Sequence, residues 1–134
     1  MTTVQVRYIV NDVDAAIEFY TRHLGFTEVM HPSPNFAMLN RGDLRLVLSQ
    51  PGGQTVGGGS ALVDGRVPQP GGWNRFAVEV PDLPDKVAQL RAAGVTLRSD
   101  IIPGVGGNQV LVEDPSGNPI ELFQPLRSEA RLSS

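Results

Sequence analysis

His23 and His31 are the two side chains whose ordinary chemistry spans neutral pH, so they are the first candidates for proton transfer. His23 falls at the end of a helical pattern, where a helix C-terminus favours a surface cation. His31 precedes Pro32-Ser33-Pro34 on a strand or loop and is also expected at the surface. Neither has a serine and carboxylate around it that would read as a triad. The chain has no cysteine, which removes thiolate metal sites, cysteine nucleophiles and disulfides together. The Gly57-Gly58-Gly59 run is not followed by Lys-Ser or Lys-Thr at a helix start, so it is not a phosphate loop. Trp73, the single tryptophan, either packs a junction or offers an aromatic wall to a planar ligand, with Phe36 and Phe123 as companions. Met30 and Met38 read as core or rim residues.

The elements that must position these groups come in duplicate. Val6 to Asp12 is answered by Phe76 to Asp82 at an offset of 70, and Leu46 to Pro51 by Ile120 to Pro125 at an offset of 74. In the first copy Val4, Val6, Tyr8 and Val10 alternate with Gln5, Arg7 and Ile9, the period of a half-buried strand. Asp12 then caps a helix with Val13, Ala16, Ile17, Tyr20 and Leu24 on its apolar stripe and Gly25 as its stop. Strands are expected over residues 26–30, 35–39 and 44–50, the last two joined by the turn Asn40-Arg41-Gly42-Asp43. The second copy repeats this with a strand at 75–80, an Asp82 cap, Pro84 in the first turn, a stripe of Leu83, Val87 and Leu90, and Gly94 as stop. Strands at 95–99, 109–113 and 119–124 complete it, with the turn Asp114-Pro115-Ser116-Gly117-Asn118 between the last two. The expected class is α+β, built from two tandem βαβββ modules.

With 134 residues the chain fits one domain: a first module at 4–50, a Gly/Pro-rich linker or loop at 51–72, a second module at 73–125 and a frayed tail at 126–134. The loop holds eight glycines and three prolines in 22 residues. A formal charge of −3 without a basic cluster gives nucleic acid no electrostatic footprint. No apolar run reaches the roughly 20 residues that span a bilayer, and the start of the chain lacks a signal pattern, so no membrane partner and a cytoplasmic location are expected.

The phrases Val10-Asn11-Asp12-Val13-Asp14-Ala15-Ala16-Ile17-Glu18-Phe19-Tyr20, His23-Leu24-Gly25-Phe26, and Glu113-Asp114-Pro115-Ser116-Gly117-Asn118-Pro119-Ile120-Glu121-Leu122 resemble the vicinal oxygen chelate superfamily. That group holds glyoxalase I, extradiol dioxygenases, fosfomycin-resistance transferases and bleomycin-resistance proteins. The resemblance covers residues 4 to 125 and implies a curved mixed sheet wrapped around a cup-shaped cavity. In metal-using members each module gives one ligand from its first strand and one from its last. Carried onto this chain, those positions are Gln5, Val47, Arg75 and Glu121. Only Glu121 suits a divalent metal, since valine has no donor atom and arginine is a permanent cation. Neither a metal nor another cofactor is therefore expected.

The resemblance also brings Arg75 and Glu121 together at the base of the cup, as an ion pair, as anchors for a ligand's polar groups, or as both. Strand alternation sets Gln5, Arg7, Ile9, Arg45, Val47 and Ser49 of one module, and Arg75, Ala77, Glu79, Pro119, Glu121 and Phe123 of the other, on the cup-facing side. The expected ligand-binding set is Gln5, Arg7, Val47, Ser49, Trp73, Arg75, Glu121 and Phe123. The expected function is metal-independent binding of a small organic molecule, as in bleomycin-resistance proteins, by a homodimer. The alternative is a metal-free lyase, isomerase or cyclase with Glu121 as base and Arg75 as oxyanion stabiliser, although a guanidinium beside a carboxylate weakens it as a base.

Overall fold

The computed structural model describes residues 4–52 and 59–126. The chain divides into two compact units: residues up to Gly71 together with Pro115–Asn118, and Gly72–Asp114 together with the residues from Pro119 onward.

The first unit runs β1 (Val4–Ile9), α1 (Val13–His23), β2 (Thr27–Ser33), β3 (Phe36–Arg41) and β4 (Leu44–Ser49). Asp12, in extended conformation, accepts a hydrogen bond from the Ala15 amide at 3.0 Å and so starts α1. The helix ends at Leu24, and Gly25 takes φ +73° to turn the chain out. The sheet order is β1-β4-β3-β2, with β1 parallel to β4 and the other pairs antiparallel. Tyr8, Leu46, Leu48, Ala37 and Leu39 share the face under α1 and are buried with Val13, Ala16, Phe19 and Tyr20 of the helix. Phe19 is buried where Ile17, expected on the stripe, is only half-buried; the Phe19 ring lies edge-on to Tyr20 with centroids 5.0 Å apart.

The second unit runs β5 (Ala77–Glu79), α2 (Leu83–Ala92), β6 (Ile102–Pro103), β7 (Gly107–Glu113) and β8 (Pro119–Pro125), in the order β5-β8-β7-β6. Asp82 caps α2 through the Asp85 amide, and Leu83, Val87 and Leu90 bury against the face carrying Val78, Val110, Val112, Ile120 and Leu122. β5 is shorter than the expected 75–80, although main-chain bonds from Glu121 to Phe76 and from Val80 to Phe123 continue its ladder. The strand expected at 95–99 is reduced to a single bridge between Leu97 and Val112. There the Leu111 amide donates to the Ser99 hydroxyl at 3.1 Å instead of to a main-chain carbonyl, which interrupts the ladder. The second strand of the unit forms further on, at Ile102–Pro103.

The repeat arithmetic is reproduced in register. Arg7 pairs with Val47 and Ala77 with Glu121, the same step in each parallel ladder.

The turn Asp114-Pro115-Ser116-Gly117-Asn118 is held by polar bonds rather than packing. Asn118 is 4% exposed; its amide donates to the Ile9 carbonyl at 2.8 Å and its oxygen accepts from the Gly71 amide at 2.7 Å. Ser116 accepts from the Asn11 amide at 2.8 Å. Of the 51–72 segment, residues 53–58 lie outside the described residues, as does the tail beyond Leu126; the described part at 59–72 forms turns without helix or strand. No helix among the described residues is long and apolar enough to cross a membrane.

Removing the Asn118 amide takes the side-chain partner from the Ile9 carbonyl and from the Gly71 N–H, both in part-buried hydrogen bonds. Asn118→Ala is expected to destabilise the chain by about 2 kcal/mol, against about 1 kcal/mol for loss of the α2 cap in Asp82→Ala, both measured by urea unfolding.

Candidate functional site

In each unit the helix covers one face of the sheet, and alternate residues of the strands form an open face on the other side. The open face of the second unit gathers most of the charge. Ala77 and Glu79 of β5 lie beside Glu121 and Phe123 of β8, and β7 sets Gln109 opposite Phe123 and Leu111 opposite Glu121. Arg75, two residues ahead of Ala77, reaches Glu121 Oε1 with Nε at 3.2 Å and Nη2 at 3.1 Å. With the Gln109 amide assigned so that its nitrogen faces the carboxylate, the orientation in which both groups are satisfied, that nitrogen donates to Oε1 at 2.9 Å and Oε2 at 3.1 Å. Glu121 is thus held from both sides.

A second pair lies next to the first. Arg98 Nε donates to Glu113 Oε2 at 2.9 Å, with side chains only 17% and 26% exposed. Trp73 connects the two pairs: its carbonyl accepts from Arg75 Nη1 at 3.3 Å, and the Arg98 guanidinium lies 4.6 Å from its ring centroid. Gly72 fixes Arg98 further through a carbonyl that accepts from Nη1 at 2.6 Å. Trp73 is 68% exposed and so does not fill a junction. Its position, under one cation and open to solvent, is that of a stacking surface.

Phe123 owes its place to a missing side chain. A Cβ on Gly107 would come within 2.8 Å of Phe123 Cζ, 2.9 Å of its Cε1 and still closer to the Gln124 carbonyl, so the ring can lie against the bare main chain of β7.

The open face of the first unit differs. Its three central cross-strand rows read Gln5–Arg45–Asn40, Arg7–Val47–Met38 and Ile9–Ser49–Phe36. These nine positions include no acidic residue. Gln5 and Arg7 are exposed, while Val47 is fully buried and Ser49 is 2% exposed. The Ser49 hydroxyl and Arg45 Nε are both buried without a hydrogen-bond partner among the described residues. Arg45 Nη1 lies 3.7 Å from Met38 Sδ.

The histidines stand apart from both faces. His23 packs edge-on against Phe19 at 5.6 Å, and His31 Nε2 lies 3.6 Å from Asp14 Oδ1 on the first turn of α1. The positions that the resemblance assigns to metal ligands do not fit a metal. The first unit offers an amide and a valine there, and the second a guanidinium already bound to the one carboxylate. Among the described residues no group of three or more histidine, aspartate or glutamate side chains could hold a metal ion.

Gln109, Arg98 and Glu113 complete the second unit's network and were not singled out from the sequence. Gln109 and Glu113 lie on β7 in alternation with the buried Val110 and Val112, which is a usable signal. Arg98 had none, because its segment does not keep a regular ladder.

The sequence model of the Glyoxalase/Bleomycin resistance protein/Dioxygenase superfamily matches residues 2–122. Several solved structures share the fold. A member of that superfamily from Sphaerobacter thermophilus DSM 20745 is 24% identical with a TM-score of 0.71, over 92% of this chain and 97% of that one. TnmS3, an antibiotic binding protein from Streptomyces sp. CB03234, is 23% identical with a TM-score of 0.68, over 93% and 96%. The lactoylglutathione lyase of Agrobacterium tumefaciens is 18% identical with a TM-score of 0.69, over 92% of each chain. At these identities the likeness concerns the fold alone. No curated protein matches the sequence.

The linked pairs predict a measurable dependence. Arg98→Met leaves Glu113 half-buried and unpaired and uncovers one face of the indole. It is expected to cost about 1–2 kcal/mol in urea unfolding and to shift the emission of the single tryptophan to the red.

Proposed function

The chain belongs to the Glyoxalase/Bleomycin resistance protein/Dioxygenase superfamily, and we propose that it binds a small organic compound without a metal, as bleomycin-resistance proteins do, on the open face of its second unit. The observation that carries this reading is the state of Glu121. Its oxygens accept from Arg75 and from Gln109, so the one carboxylate at the resemblance's ligand positions is already neutralised by protein groups. Around it lie an exposed indole, a half-buried Phe123 ring and the polar edges of two ion pairs. Such a surface suits a planar, partly polar molecule: the rings supply area, and the fixed charges orient hydroxyl, amine or carbonyl groups. The fold shared with an antibiotic-binding protein supports the reading at the level of architecture.

The same observation weighs against a metal-free lyase, isomerase or cyclase with Glu121 as base. A base must offer a free lone pair to the substrate proton, and Glu121 Oε1 already faces three donors.

Trp73 supplies the assay. Titration with a panel of aromatic and glycopeptide compounds is expected to quench its emission saturably for at least one of them. Arg75→Ala should weaken that binding about tenfold, in keeping with loss of a charged hydrogen bond. A panel that leaves both the emission and the melting temperature unmoved removes the reading's support. Turnover of any compound that disappears in Glu121→Gln while binding persists would replace it with the enzymatic one.

A further inference from the structure

The stretch at 59–72 has no helix or strand, yet part of it is bonded as closely as a hairpin. The Leu62 amide donates to the Arg66 carbonyl at 2.8 Å and the Gly65 amide to the Leu62 carbonyl at 2.9 Å, which closes a turn over residues 62–66. Gly65 takes φ +88° within it. Arg66 holds both carboxylate oxygens of Asp64: Oδ1 accepts from its main-chain amide at 3.0 Å and Oδ2 from its Nε at 2.7 Å. Leu62 and Val63 are exposed, so apolar packing does not account for this order. Asp64-Gly65 is also the only Asp-Gly pair in the chain, which has no Asn-Gly pair.

Glycine has no side chain to keep its own nitrogen away from the carboxyl group before it, so an Asp-Gly bond can rearrange. The Gly65 nitrogen, having given up its proton, attacks Asp64 Cγ. A new N–Cγ bond forms, one carboxyl oxygen leaves as water, and the product is a five-membered succinimide. Water then opens the ring. Opening at Cγ restores aspartate, whereas opening at the main-chain carbonyl leaves isoaspartate, with the chain running through the former side chain. Water lost in the first step is regained in the second, and nothing is oxidised or reduced. The turn engages every group that this reaction uses. The Gly65 N–H is donated to Leu62, and Cγ cannot swing toward that nitrogen without breaking the bonds from Arg66. We propose that Asp64-Gly65 is a self-modification site that forms isoaspartate, and that Arg66 is the latch that sets its rate. The Asp64 and Arg66 side chains are 53% and 78% exposed, so salt loosens this latch. Once formed, isoaspartate adds a carbon to the main chain between Leu62 and Arg66, and the turn no longer closes. The site does not rest on ligand binding by the second unit.

The test incubates the full chain, its variants and a free peptide of residues 59–70 at neutral pH in water labelled with heavy oxygen. Mass spectrometry of fragments follows uptake of one heavy oxygen at residue 64 and its conversion to isoaspartate, and urea unfolding verifies that each variant folds. The peptide is expected to react about tenfold or more faster than the full chain, as loss of the turn's hydrogen bonds implies. Arg66→Gln keeps the main-chain bonds of the turn and should react about two- to fivefold faster than the unaltered chain, the span an exposed ion pair commands. Arg91→Gln, which breaks an exposed pair with Asp100, should leave the rate unchanged. High salt should speed the unaltered chain but not Arg66→Gln. Equal rates for peptide and full chain overturn the proposal, as do equal rates for Arg66→Gln and the unaltered chain. Isoaspartate missing from both the peptide and Arg66→Gln overturns the site itself.

Discussion

Each helix takes one face of its sheet, and a side-chain period of two then leaves every second strand residue on the other side. This constraint decides what the protein has to work with. Because the first strand of each unit pairs in parallel with the last, its register determines which residues are neighbours on the open face: Arg7 beside Val47 in one unit, Ala77 beside Glu121 in the other. Shifting either ladder by one residue would exchange the open face for the core. The buried apolar rows under α1 and α2 resist such a shift, so the core fixes the chemistry of the face it does not touch.

On the second unit the result is a connected set of fixed charges. Two guanidinium–carboxylate pairs share Trp73 between them, one through its carbonyl and one through its ring. The partners satisfy one another, so the carboxylates can be sheltered from water without the penalty of an isolated charge. What remains for another molecule is directional: hydrogen-bonding edges set around an indole. The first unit, built to the same plan, stops short of this compensation. Its sheet is closed by apolar residues at Val47 and Met38; Arg7 is exposed, and Arg45 lies against the sulfur of Met38.

Much of this could be read from the sequence because it follows from local rules. Asp12 and Asp82 cap their helices and Gly25 and Gly94 end them, since each position offers one backbone solution that other residues meet less well. The offset between the copies carried the register of the parallel ladders. The Arg75–Glu121 pair was legible because both residues sit at positions fixed by the repeat. The failures share a cause as well. Residues 95–99 have a strand's composition, yet Ser99 supplies a side-chain acceptor in place of a ladder bond. Arg98 therefore emerges from an irregular segment that no periodicity describes. Phe19 is more deeply buried than Ile17 because how far a helix face sinks into the sheet depends on tertiary packing, which helical spacing does not show. Gln109 lay on a readable alternation, but a neutral amide draws attention only once its carboxylate partner is known.

Gly107 shows how a face of this kind is shaped by subtraction. The Phe123 ring occupies the space a methyl group would need, so the aromatic part of the surface is moulded by an atom that is not there. Any heavier residue at 107 pushes toward Phe123 and the adjoining β8 main chain together, and the hollow can be made shallower there but not deeper. Adaptation to a larger guest would then fall to residue 123 itself, while position 107 stays frozen as a mould and leaves no polar signature in a comparison of sequences.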